Sequence, residues 1–422
     1  ANEHGMDTVV CDHHTLPAEL PAAQAIINPK LDGEQGPLAE LAAVGVSFML
    51  AVALRARLRN EGAFTKEDEP DLRDYLDIVA LGTVADLAPL RGVNRLLVTT
   101  GLKVLAARHR PGLRALLEVA GIREDDPIDA SHLGFRLGPR INAAGRIDEA
   151  ARAVDLLLAE DDAEADRLAE LLDQYNRKRQ DMERSTYADA LRQIQDDPDF
   201  HKRKGLVLWS QDWHPGVVGI VASRILHHVH RPTLVIAMDD GVGTGSGRAI
   251  RGVDLYTALE RNSSLLERFG GHRAAAGLTI RREQLPALRD AFTEDAFTDS
   301  DPAAWEARLF IDAELELEEI GWPLHQAIQQ MAPFGIGNSQ PLFSVRGVRA
   351  QRIRTLSKGG IRMELHDGSG ASLPAVGFGL GVQPEDLRGK VDVAFHLQEN
   401  RWRGVTSLEL RIRDLQSSEE TS

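Results

Sequence analysis

Between Glu149 and Gln195 the chain contains no glycine and no proline. Apolar residues recur there at helical spacing, at Leu168, Leu171, Leu172 and Tyr175. From Asp162 onward the pattern predicts one helix about 50 Å long, at about 1.5 Å per residue. Asp196-Asp197-Pro198-Asp199 ends it, because proline cannot continue the hydrogen-bond ladder. A helix of that length joins domains. It divides the chain into residues 1–148, a connecting helix over 149–200, and the region from 201 onward.

The first part alternates apolar runs with helical patterns. Gly5 reads as a helix stop, and residues 6–11 as a buried, β-branched strand. Almost nothing precedes that stop, so the sequence reads as starting inside a domain. A proline-rich loop follows, then a helix over about 38–59. Residues 75–81 read as a second buried strand, with helices through 94–119. The expectation is an α/β fold with a doubly wound parallel sheet, whose sites lie at the carboxyl ends of strands.

The second part begins with another α/β unit: strands at 205–209 and 232–238, a helix at 217–228, a glycine-rich turn at 241–247 and a helix at about 255–269. Residues 301–332 are acidic and read as mostly helical. Pro333-Phe334-Gly335-Ile336-Gly337-Asn338 marks a boundary. Beyond it short strands (342–348, 361–365, 391–397, 406–412) with glycine turns predict a small β-barrel over 333–415. Residues 416–422 read as a disordered tail.

Composition narrows the function classes. With 422 residues the chain has room for several domains, and its single cysteine, Cys11, excludes a disulfide framework and fits a reducing cytoplasm. No apolar run is long enough for a membrane span. The net charge of −15 argues against a nucleic-acid partner only as an average. Residues 344–413 hold twelve Lys/Arg against seven Asp/Glu, and residues 201–280 hold ten against six. Such basic regions suit a polyanion.

Four constellations carry chemistry. Asp12-His13-His14 follows the first strand with ligand types that suit Mn²⁺, Mg²⁺ or Zn²⁺; a histidine pair alone is equally a surface feature. Leu81-Gly82-Thr83-Val84-Ala85-Asp86 follows the second predicted strand and puts Asp86 at the same sheet edge; Asp86 as a turn cap is the plainer alternative. Gly138-Pro139-Arg140-Ile141-Asn142-Ala143-Ala144-Gly145-Arg146 offers two guanidinium groups and an amide to a phosphate. Ser246-Gly247-Arg248 and Gly270-Gly271-His272-Arg273-Ala274-Ala275-Ala276-Gly277 suggest backbone amides close to an anion.

Asp12-His13-His14, residues 82–86, 139–146 and 270–277 occur in this order in the DHH/DHHA1 phosphoesterases, and Trp213-His214-Pro215-Gly216 with the residues after it and the boundary at 334–338 narrow the match. The chain resembles, over almost its whole length, the branch of that family that degrades single-stranded DNA from its 5′ end. The resemblance implies a DHH domain (1–148), a DHHA1 domain (201–332) and an OB-fold barrel (333–415). It implies a metal-dependent 5′→3′ exonuclease of DNA repair and recombination with two ions, Mn²⁺ or Mg²⁺. Asp12, His13, His14 and Asp86 fall on the metal positions. His13, His14, Asp86, Asn142, Arg146 and His272 form the expected catalytic set. Arg140, Arg146, Ser246, Arg248, Gly271 and His272 are the expected phosphate contacts, and Arg349, Arg352, Arg354, Lys358 and Trp402 the expected DNA contacts in the barrel, with Phe378 a further stacking candidate. The implied partners are single-stranded DNA, a single-strand-binding protein and a helicase, for a cytoplasmic monomer with no membrane contact. The family also carries an Asp-x-Asp motif and another aspartate upstream of its DHH element, and this sequence has neither. The competing readings are a relative that cuts oligoribonucleotides or cyclic dinucleotides, and a non-catalytic single-strand-binding relative.

Overall fold

The computed structural model describes residues 4–17, 19–33, 36–292, 294–357, 359–402 and 404–418. The chain divides into two compact units, one of residues 1–109, 126–138 and 309–422, the other of 110–125 and 139–308.

The first unit opens with strands β1 (Val9–Cys11) and β2 (Ala25–Ile27), a parallel pair with Val10 opposite Ile26. Helices α1 (Ala43–Asn60), α2 (Leu76–Ala85) and α3 (Gly92–Ala106) pack beside them. Helix α2 corrects the expectation of a strand at 75–81. Leu76, Asp77, Val79, Ala80, Leu81 and Thr83 are all buried, so the helix is covered on every side and its sequence shows no amphipathic period. A buried helix and a buried strand are then alike to periodicity. Gly82 explains how α2 comes so close to α1: a Cβ there would stand 2.8 Å from Val44 Cγ1. A helical turn at Ala130–His132 and a π-helical turn at Leu133–Leu137 complete this part.

The second unit holds α4 (Pro111–Val119), α5 (Gly138–Ile147, whose first residue belongs to the first unit), α6 (Ala151–Leu158) and α7 (Asp162–Asp196). Helix α7 is a single 35-residue helix starting where the sequence predicts, capped by Asp161, whose side chain accepts from the Glu164 amide. After it, β3 (Leu206–Ser210), α8 (Pro215–Val229), β4 (Thr233–Asp239), β5 (Val242–Arg248), α9 (Leu255–Arg261), β6 (Arg268–His272), β7 (Ala275–Arg281) and α10 (Leu285–Ala291) form an α/β layer. Its sheet has the order β3-β4-β5-β7-β6; β3 and β4 are parallel and the other pairs antiparallel.

Two expectations change in this layer. Of the glycines in 241–247 only Gly241 sits in a turn; Gly243, Gly245 and Gly247 belong to strand β5. Gly243, Gly245 and Gly247 lie on one face, where a Cβ would meet Ile236, Met238, Leu234 or Leu255 at 2.5–2.8 Å. Glycine there makes room for its neighbours' bulk. The helix expected over 255–269 stops at Arg261, and Phe269 through Gly277 build the β6–β7 hairpin instead of an amide-lined loop.

Residues 301–332, expected to be mostly helical, contain two short 3₁₀ turns, the two-residue strand β8 (Ala313–Glu314) and only one α-helix, α11 (Trp322–Gln330). Strands β9 (Phe343–Leu356), β10 (Gly360–His366), β11 (Ser372–Phe378), β12 (Lys390–Trp402) and β13 (Val405–Ser417) follow, again in the first unit. Their pairings run β9-β10-β11-β13-β12 and back to β9, with β11–β13 parallel. This is the expected small barrel, with Val345, Leu365, Phe395, Leu397 and Leu410 inside. Strand β13 runs to Ser417, so the start of the expected tail belongs to the barrel; residues 419–422 lie outside the described residues. No helix among the described residues is long and apolar enough to cross a membrane.

Candidate metal centre and phosphate shelf

The tip of β1 gathers the first site. The Asp12 amide donates to the Ile27 carbonyl at 3.0 Å, the last rung of the ladder with β2. Past that rung the chain turns, and both following histidines swing to one side, their ring centroids 4.4 Å apart. His14 Nδ1 lies 2.7 Å from Asp12 Oδ1. His13 Nε2 lies 3.0 Å from Asp86 Oδ2.

Asp86 arrives from a helix end, not from the strand end expected. It is the C-cap of α2. The Leu87 amide donates to the Val84 carbonyl at 3.1 Å and the Ala88 amide to the Thr83 carbonyl at 3.2 Å. Those two bonds define a Schellman ending. Its left-handed position is usually glycine and is here Leu87, at φ +59°.

The donor set fits a divalent cation. One ligand atom from each of Asp12, His13 and His14 lies within 4.8 Å of the others. His13 Nδ1 is buried without a hydrogen-bond partner. Burial pushes the Asp12 carboxyl up, but hydrogen bonds from the His14 ring and from the His13 and His14 amides, with the His14 charge, hold it below the usual carboxylate value.

The second unit carries the other cluster. Arg248, Ala275 and His272 stand directly opposite one another on β5, β7 and β6. Directly paired residues share a face, so Arg248 and His272 sit about 10 Å apart, two strand spacings, across a small alanine. One register step along, Ser246, Gly277 and Gly270 repeat the arrangement. The result is a shelf with a backbone floor.

Arg248 Nη1 donates to Ser246 Oγ at 2.9 Å and to the Gly247 carbonyl at 2.7 Å. Gly219 of α8 leaves room for the pair: a Cβ there would stand 3.1 Å from Ser246 Oγ and 3.2 Å from Arg248 Nη2. Arg146 Nη1 donates to the Gly216 carbonyl at 2.9 Å. Burial lowers the affinity of the Arg248 guanidinium for its proton, and the Arg146 charge lowers it further. Arg179 of α7 is lowered by burial and by Arg146 as well, against the opposing pull of Glu183. Among the described residues neither Arg146 nor Arg248 has a carboxylate within ion-pair distance, so their charge is available to an anion.

The remaining expected residues separate. Asn142 and Arg146 share the exposed side of α5, whereas Arg140 turns inward and pairs with Asp173 at 2.8 Å. Gly271 sits in the hairpin because a Cβ there would stand 2.5 Å from the Ala275 carbonyl oxygen. In the barrel Arg349 and Arg354 are exposed and have no carboxylate partner among the described residues, while Arg352 pairs with Glu364 at 2.9 Å. Phe378 is 54% exposed, which removes it from the core. Lys358 and the Trp402 side chain lie outside the described residues. Three further arginines lie outside the expected set: Arg179, which pairs with Glu183 at 2.6 Å, and the exposed Arg411 and Arg413, which flank the core residue Ile412 on β13. The alternation Arg411-Ile412-Arg413 was the available signal.

A metal-type tip, an arginine-lined shelf on an α/β layer and a five-stranded barrel define a DHH/DHHA1 phosphoesterase with an appended OB fold. Family models agree: the DHH family N-terminal domain matches residues 1–83, the DHHA1 domain 202–296 and the RecJ OB domain 311–414. The chain belongs to the RecJ family. It is 39% identical over 430 residues to the single-stranded-DNA-specific exonuclease RecJ of Dickeya dadantii, covering 98% of this chain and 74% of that protein. It is 37% identical over 429 residues to RecJ of Escherichia coli, covering 98% of this chain and 74% of that one. The crystal structure of RecJ in complex with Mn²⁺ from Thermus thermophilus superposes with a TM-score of 0.83 at 33% identity, covering 99% of this chain and 59% of that one. The chain therefore spans about three quarters of the first two relatives and 59% of the Thermus chain.

Proposed function

We propose that the protein is a metal-dependent exonuclease that removes mononucleotides from the 5′ end of single-stranded DNA, serving DNA repair and recombination. The observation that carries this reading is the cluster of Asp12, His13 and His14, with Asp86 3.0 Å from His13 Nε2 and a buried His13 nitrogen left without a partner. Asp12, His13 and His14, with Asp86 beside His13, would hold a divalent ion such as Mn²⁺ or Mg²⁺, which would supply Lewis-acid activation of water and charge stabilisation at phosphorus.

The chain's own residues do the rest. Asp12 and Asp86 orient the two imidazoles from opposite ends. Arg146, Arg248 and Ser246 take non-bridging phosphate oxygens, with His272 as a further donor across the shelf. Charge-assisted bonds of this kind are the strong ones, and among the described residues no carboxylate competes for either arginine. Arg349 and Arg354 hold backbone phosphates of the bound strand, which is sequence-independent. The barrel favours a polymeric substrate over a dinucleotide, since a dinucleotide has no use for it.

The test is digestion of 5′-labelled single strands with Mn²⁺. Labelled mononucleotide as the first product, lost in His14→Ala, is the expected outcome. Internal fragments would contradict an exonuclease, and unchanged turnover in His14→Ala would remove that residue from the centre.

A further inference from the structure

The two histidines face one way because something holds their backbone the other way. In a strand, successive side chains alternate between faces, so bringing His13 and His14 together requires a turn whose peptide groups find partners outside the ladder. Both carbonyls find them in the segment after β2. Asn28 Nδ2 donates to the His14 carbonyl at 3.0 Å. Lys30 Nζ donates to the His13 carbonyl at 2.6 Å.

The two donors are themselves fixed. Asn28 is only 6% exposed. Its Oδ1 accepts from the Lys30 amide at 3.0 Å, capping the 3₁₀ turn Pro29–Asp32, with Pro29 locking the first position. One asparagine thus ties the turn to the tip, and the turn presents the lysine.

We propose that Asn28 and Lys30 are positioning residues of the metal centre, anchoring the His13 and His14 carbonyls so that both imidazoles converge on one cation. The proposal rests on the reading of that centre as a metal site. Lys30 has two possible influences of opposite sign. As an anchor it raises cation affinity; as a nearby positive charge it lowers it. The anchor dominates, because the ammonium is engaged by the His13 carbonyl in a hydrogen bond of 2.6 Å.

The experiment is Mn²⁺ titration of the metal-free protein by calorimetry, for the wild type, Asn28→Ser, Lys30→Met, Lys30→Arg and His14→Ala. Asn28→Ser keeps an oxygen to cap the turn but removes the reach to His14. Asn28→Ser and Lys30→Met are each expected to weaken Mn²⁺ binding about tenfold or more, in line with other residues that orient metal ligands. Lys30→Arg, which keeps a donor, recovers most of the loss. Single-strand affinity in the absence of metal stays at the wild-type value. Unchanged Mn²⁺ affinity in both variants overturns the proposal. Tighter binding in Lys30→Met also overturns it, since charge alone would then be at work. Weaker strand binding with unchanged Mn²⁺ affinity would make Lys30 a substrate contact instead. If Lys30→Met fails to fold, Asn28→Ser decides. If His14→Ala itself leaves Mn²⁺ affinity unchanged, the metal reading has failed before the anchor is reached.

Discussion

His13 Nε2 stands 3.0 Å from Asp86 Oδ2, joining the tip of β1 to the C-terminus of α2. Neither side chain is placed by its own neighbours alone. On the proposed reading, removing the Asp86 carboxylate takes away one ligand and the partner that orients another. Asp86→Ala is expected to lower both Mn²⁺ affinity and turnover, each by roughly a hundredfold or more. Calorimetric titration and mononucleotide release measure the two separately, and loss of turnover with full Mn²⁺ affinity would contradict the assignment.

Leu87 closes α2 at φ +59° and is 67% exposed. The left-handed conformation costs a non-glycine residue roughly 1–2 kcal/mol, while glycine's extra chain entropy returns about half of that. Little packing is lost with so exposed a side chain. Leu87→Gly is therefore expected to stabilise the protein by about 0.5–1 kcal/mol, read as a higher denaturation midpoint.

On the shelf, Arg248→Ala removes a guanidinium proposed to bind phosphate. A hydrogen bond to a charged group contributes about 1.5–3 kcal/mol, so kcat/KM on single strands is expected to fall between tenfold and somewhat over a hundredfold. Arg146→Ala is expected to act similarly. Because each arginine lies in the other's field, the double variant should lose less than the two single losses combined. Additive losses would mean that they serve different phosphates.

Arg354 and Arg352 share a strand but not a situation. Arg354 has no carboxylate partner among the described residues, whereas Arg352 is paired with Glu364. Arg354→Ala is expected to reduce the slope of log affinity against log salt by about 0.7, the value for one phosphate contact on a single strand. Arg352→Ala should change that slope less. Fluorescence anisotropy across a salt series separates them.

His396 gives the barrel a pH dependence. Burial holds its imidazole below the ordinary value of 6.5, and the charges of Arg413 and Arg411 add to this, against a bond to the Pro341 carbonyl and the charge of Asp312. The unfolded chain takes up this proton first as pH falls. The contribution to stability is thus complete above the unfolded value and is lost as pH falls through the folded one. A plot of melting temperature between about pH 5 and 8 should fall on the acid side, and His396→Gln should flatten it.

Much of this molecule could be read from local pattern. The 35-residue helix α7 follows from a run without glycine or proline, and its end from Pro198. The alternating strands of the barrel and the ligand types at Asp12, His13 and His14 are legible because each depends on residues a few positions apart. Helix α2 was not: buried on every side, it carries no period to distinguish it from a strand. Nor was β5, whose glycines answer to side chains on neighbouring elements. Arg140 and Arg146 show the same limit within one motif. They look equivalent in the chain, yet only the packing of α5 sends Arg140 to Asp173 and leaves Arg146 exposed, bonded to the Gly216 carbonyl.

The amino-acid order alone therefore supplies the ligand and cation types, because these are properties of single residues. Which of those residues meet is settled by the fold, since Asp86 reaches His13, and Lys30 the His13 carbonyl, only once strand, turn and helix ends have packed together.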